Sequence, residues 1–164
     1  MDKENLKKEL RKKKDFLVEI VAYCLMPNHF HLLVKQAKDR GIRNFITKSC
    51  NSYSHYFSTK YKRKGPLFEG RFKAIRVETE EQLIHLSRYI HLNPYSSYLV
   101  KNFKKLAAYP FSSLPEYLNN IKDPICQKEI VLSYFSGFED YKKFVFRQAE
   151  YQRELGKIKH LALE

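Results

Sequence analysis

The chain has 164 residues, with 31 Lys and Arg against 18 Asp and Glu, a formal net charge of +13. No apolar run is long enough to span a membrane and no secretory leader is recognisable, so the expected setting is the cytoplasm. Cys24, Cys50 and Cys126 are widely spaced with no CxxC pair, which argues against a disulfide framework and a zinc ribbon.

The charge is unevenly placed. Residues 1–115 hold 23 basic and 10 acidic side chains, whereas residues 116–164 hold 8 of each. The excess on the first part is the electrostatic footprint expected of a polyanion-binding surface, although a basic surface also serves solubility. Twelve Tyr and twelve Phe with no Trp supply core residues, and aromatics among basic residues are also what single-strand binding uses. Length and charge together suggest a main domain over 1–115 and a helical extension over 116–164.

Residues 2–14 are polar nearly all round and read as a solvated helix or a basic arm. Residues 16–25 (FLVEIVAYCL) are β-branched and apolar, a buried strand. Met26-Pro27-Asn28 breaks it, and residues 29–35 (HFHLLVK) resume as the hairpin partner. From Ile42 to Tyr61 the apolar residues recur at helical spacing, and 60–66 (KYKRKGP) is a basic turn. Residues 72–78 (FKAIRVE) alternate, which predicts a third strand. Thr79 followed by Gln82 is a capping-box pattern opening a helix that should stop at Asn93-Pro94. Two further helices are expected at about 124–135 and 138–155. The fold class is therefore α+β, an antiparallel or mixed sheet with helices packed on it and a helical C-terminal tail.

His29 and His31 stand at i and i+2 on a strand, so both imidazoles point to one face while Phe30 and Leu32 point to the other. Two surface histidines would give the same pattern. On the helix after Thr79, Leu83, Leu86 and Ile90 form the core stripe, and Tyr89 and Asn93 lie one turn apart beside it. A half-buried tyrosine and a helix-ending asparagine are ordinary features when taken alone. Together the four residues offer a phenol nucleophile and three metal donors, with coordination positions left for phosphate oxygens and water.

Three segments, AYCLMPNHFHLLVK (22–35), GPLFEGRFKA (65–74) and LSRYIHLNP (86–94), followed by YPFSS (109–113), resemble the HUH single-tyrosine, IS200-like transposases, particularly the REP-associated tyrosine transposase branch. The resemblance implies a ferredoxin-like HUH fold, with His29 and His31 as the histidine pair, Tyr89 as nucleophile and Asn93 completing a Mg²⁺ or Mn²⁺ site. It implies metal-dependent, site-specific cleavage and rejoining of single-stranded hairpin DNA from palindromic repeats through a 5′-phosphotyrosine link. Lys62, Arg63, Lys64, Arg71 and Arg88 are candidate phosphate contacts. His85, one turn before Tyr89, is a candidate proton carrier or simply a solvated histidine.

One departure stands out. The family usually places a strand about forty residues before the HUH motif, and only 28 residues precede His29 here, so the first strand is expected to be absent. A strand edge left unpaired along 16–25 would favour a homodimer. The rival to an active nuclease is then a relative that binds DNA hairpins without cutting. A basic RNA-binding domain lacks any matching signature.

Overall fold

The computed structural model describes residues 16–121 and 124–161, with side chains to residue 155. The expected helix or arm at 2–14 lies outside the described residues. Contacts divide the chain into two compact units, Met1–Glu19 with Lys35–Ala74, and Ile20–Val34 with Ile75–Glu164.

Strand β1 (Val18–Leu25) and strand β2 (Phe30–Gln36) form an antiparallel hairpin. The Met26 amide donates to the His29 carbonyl at 2.8 Å, closing a four-residue turn with Pro27 in its second position, where the fixed φ of proline is already suitable. Val21, Ala22 and Cys24 are buried, as the continuous apolar run requires. The fold class is α+β as expected, with a sheet of two strands among the described residues.

The expectation of an unpaired β1 edge is not met. The Leu25 amide donates to the Phe111 carbonyl at 2.7 Å and the Ser113 amide to the Tyr23 carbonyl at 3.0 Å, which makes Cys24 and Ser112 an antiparallel bridge. Ser113 Oγ accepts from the Tyr23 amide, Tyr117 Oη donates to the Val21 carbonyl, and the Gln127 amide donates to the Ile20 carbonyl. From Ile20 to Leu25 the edge thus takes partners from within the same unit, supplied by segments with no strand periodicity.

Residues 72–78 form no strand either. Alternation supplies a two-faced pattern, but a strand also needs a partner, and Ile75 is 85% exposed with nothing to bury it. In the first unit, helix α1 (Gly41–Tyr61) follows β2 after Arg40 turns at φ 55°. Gly41 is required there, because a Cβ would fall 2.0 Å from the Leu17 carbonyl oxygen.

In the second unit, helix α2 (Glu80–Ser96) runs one turn past the expected stop. Pro94 lies inside it, and the helix continues past the proline with the Ser97 amide donating to the Asn93 carbonyl. Helices α3 (Phe103–Ala107) and α4 (Leu114–Tyr117) follow. Where a helix over 124–135 was expected, only α5 (Glu129–Leu132) forms. The buried Glu116 carboxylate accepts from the amides of Ile125 and Cys126, and those bonds hold the chain before α5 out of helical geometry. The last expected helix is broken at Gln148 into α6 (Phe138–Arg147) and α7 (Ala149–Leu161). The core of this unit joins Val21, Ala22 and Cys24 of β1 to Ile90 and Leu92 of α2, Leu114 and Tyr117 of α4, Tyr141 and Val145 of α6 and Ala149 of α7. No helix among the described residues is long and apolar enough to cross a membrane.

Candidate active site

The hairpin turn fixes where the two histidines sit. His29 ends the turn and His31 is the second residue of β2, so strand alternation sends both rings to one side. Their centroids are 4.9 Å apart, edge to face. The Asn28 Oδ1 atom lies 2.7 Å from His29 Nδ1 and can only accept, so Nδ1 carries the hydrogen and Nε2 is left as the free lone pair. His31 is partly buried, and burial, with the neighbouring His29 second, holds its pKa below the usual histidine range. That favours the neutral imidazole, the form that can donate to a cation.

Helix α2 brings the tyrosine to this pair. Thr79 Oγ1 accepts from the Gln82 amide at 3.1 Å, and Gln82 Oε1 accepts from the Glu78 amide at 2.9 Å, a reciprocal cap close to the predicted one. Glu80 and Glu81 occupy the first turn, where negative charge suits the helix dipole. Further along, Ser87, Ile90 and His91 are buried, while Tyr89 is 40% exposed at the margin of the stripe. The His31 and Tyr89 ring centroids are 5.6 Å apart, again edge to face. The α7 side chain Gln152 donates to the Tyr89 carbonyl, tying the C-terminal helix to this turn.

The structure thus brings three of the four principal candidates together. Asn93 lies one turn beyond Tyr89, 7% exposed, and no hydrogen bond joins its side chain to either histidine. Among the described residues no group of three or more His, Cys, Asp or Glu is placed to hold a metal. The paired imidazoles are nitrogen donors of the kind that bind divalent cations.

The candidate phosphate contacts fall in both units. Lys62, the cap of α1 at φ 49°, Arg63 and Lys64 form an exposed basic turn in the first unit, where Arg63 donates to the Pro66 carbonyl. Arg71 is exposed in the same unit. Arg88 lies in the second unit, with its guanidinium 4.4 Å from the Phe144 ring centroid and its Nη2 donating to His85 Nδ1 at 2.8 Å. His85 is exposed and engaged by that arginine, with Glu81 3.7 Å away.

Sequence reading missed His91. It is fully buried, with Nδ1 2.7 Å from Tyr141 Oη and Nε2 2.8 Å from Ser113 Oγ. Tyr141 Oη donates to Ser87 Oγ, which donates to the Ile84 carbonyl. If each hydroxyl gives one hydrogen, the arrangement that forfeits only the longest contact, Ser113 to the Tyr23 carbonyl at 3.2 Å, has His91 donating from Nδ1. Burial pushes its pKa down to about 3, so it is a neutral strut. The network ties α2, two residues past Tyr89, to α6 and to the segment that covers β1. The only sequence signal was the YPFSS motif, which contains Ser113.

The α+β fold and the tyrosine beside a histidine pair on a strand agree with the family resemblance of the sequence. The family model for IS200-like transposases matches residues 2–93, and the chain belongs to that family. No curated protein and no solved structure matches it.

Proposed function

We propose that this transposase is a single-tyrosine HUH enzyme of the REP-associated branch, which cuts and rejoins single-stranded hairpin DNA from palindromic repeats. Tyr89 Oη attacks the scissile phosphorus in line, the 3′ oxygen leaves and takes up a proton, and the phenol proton passes to solvent. The products are a 5′-phosphotyrosine link and a free 3′ hydroxyl. Because the phosphodiester is exchanged for another phosphoester of similar energy, the reverse attack rejoins a strand without a nucleotide cofactor.

His29 Nε2, an imidazole nitrogen of His31 and the Asn93 carboxamide oxygen would hold Mg²⁺ or Mn²⁺, which supplies Lewis-acid polarisation of the phosphate. Asn28 orients the His29 ring for this, and the depressed pKa of His31 keeps it neutral. The observation that carries the reading is the run of contacts from His29 through His31 to Tyr89. Residues 1–115 would form the catalytic part and 116–164 a helical extension that buttresses α2 through Tyr141 and Gln152. The homodimer expected from an open β1 edge loses that argument, since the edge is covered.

A second reading is a relative that keeps the basic hairpin-binding surface and no longer cuts. Incubation with a hairpin oligonucleotide and Mn²⁺, resolved on a denaturing gel, separates the two. Nicking at one position supports the enzyme, and binding without nicking supports the module.

A further inference from the structure

The apolar stripe of α1 changes character along its length. Gly41 and Ile46 are buried, but Tyr53, Tyr56 and Tyr61, which continue the same stripe, are 50%, 55% and 57% exposed. These rings form a connected set, with Tyr53 and Tyr56 centroids 6.4 Å apart, Tyr53 and Phe57 6.1 Å, and Phe57 and Tyr61 4.5 Å. Phe68, from the loop after the basic turn, adds a further ring 6.2 Å from Tyr53. Lys60 lies over two of them, 5.5 Å from the Tyr56 centroid and 5.3 Å from that of Tyr61, and donates to Tyr56 Oη. From Arg40 to Phe68 there are seven Lys and Arg and no Asp or Glu.

Exposed aromatic faces beside a one-sign basic strip are what a flexible polyanion with flat rings would complement. Successive bases stack on the rings while Lys and Arg follow the phosphates. We infer that the C-terminal half of α1, with the 62–64 turn, is a stacking platform for the unpaired nucleotides that flank the DNA hairpin, a second binding site separate in sequence from the Tyr89 motif. This rests on the single-stranded DNA reading above. A duplex offers no base faces, so the platform should discriminate by strandedness rather than by sequence.

The test uses the full chain carrying Tyr89→Phe, which cannot cut, with a fluorescent oligothymidylate and a blunt duplex as probes. Tyr53→Ala/Tyr56→Ala should weaken oligothymidylate binding about 10- to 100-fold and leave the duplex within about twofold. Tyr53→Leu/Tyr56→Leu, which keeps the apolar volume, should behave the same way, and Tyr53→Phe/Tyr56→Phe should retain binding. Lys62→Ala/Arg63→Ala should flatten the salt dependence, which the tyrosine changes leave alone. Unchanged oligothymidylate affinity in the leucine variant overturns the inference. So does an equal loss for both probes, or a dimer that the leucine change dissociates at constant affinity. Adduct formation by the chain with Tyr89 intact is read separately, so failure of the platform and failure of the nuclease are distinguishable.

Discussion

Helices α1 and α2 are both long, amphipathic and rich in tyrosine and histidine, yet the structure uses them oppositely. The second half of α2 is enclosed, with polar Ser87, His91 and Asn93 buried along with Ile90 and Leu92, and Tyr89 half emerges beside His31. α1 leaves its aromatic stripe in solvent over its second half. On the proposed function the contrast separates two physical tasks. A reacting oxygen must be held by a rigid surround, and every buried polar group in that surround must find its partner. A surface for a flexible polymer needs open faces and charge, and order can come with the ligand.

The largest effect is expected at the histidines. His29→Ala or His31→Ala should abolish Mn²⁺ binding, read by paramagnetic broadening, and lower nicking by at least about 100-fold with little change in melting temperature. Asn93→Ala should weaken the metal less. Metal binding that survives the double histidine change would refute the site.

Next comes the enclosure of α2. His91→Ala removes a fully buried ring and strands Tyr141 and Ser113, so a loss of about 3–5 kcal/mol in denaturant unfolding is expected. His91 also sets a pH dependence. Its folded pKa, about 3, lies below the ordinary value of about 6.5, so its contribution is complete above about 6.5 and is lost as pH falls towards 3. Stability should therefore decline on acidification by up to about 1.4 kcal/mol per pH unit from this group, with a smaller contribution of the same sign from His31. His91→Gln should flatten that slope.

The β1 edge is sharpened by Tyr117→Phe, which leaves the Val21 carbonyl without its hydroxyl partner and should cost about 1–2 kcal/mol. The smallest effect is expected at the start of α2. Thr79→Ala removes the cap and should cost about 1 kcal/mol while nicking by folded protein is unchanged. A large loss of cleavage there would mean that Tyr89 is positioned by the helix end rather than by the buried network.

What the sequence discloses follows the range of the interactions. The side of β2 that His29 and His31 share, the helical period of α1 and the Thr79 cap depend on neighbours a few residues away, and these were legible. The 72–78 strand failed because alternation says nothing about whether a partner exists. Pro94 misled because the buried stripe of α2 continues past it, with Asn93, Pro94 and Tyr95 all enclosed. The His91 network was invisible because its partners stand 22 and 50 residues away, and the cover on β1 comes from a segment some 90 residues on. The Tyr89 position could be read from its motif, but not the surround that holds it.

The proposed mechanism joins Tyr89 covalently to DNA. Hairpin DNA incubated with the protein and Mn²⁺, then denatured, digested and analysed by mass spectrometry, should yield one nucleotide-bearing peptide, with the adduct on Tyr89 and a free 3′ hydroxyl on the released strand. Tyr89→Phe should give none while still binding DNA. An adduct on Tyr23, Tyr53 or any other residue, or cleavage that persists in Tyr89→Phe, would contradict the account.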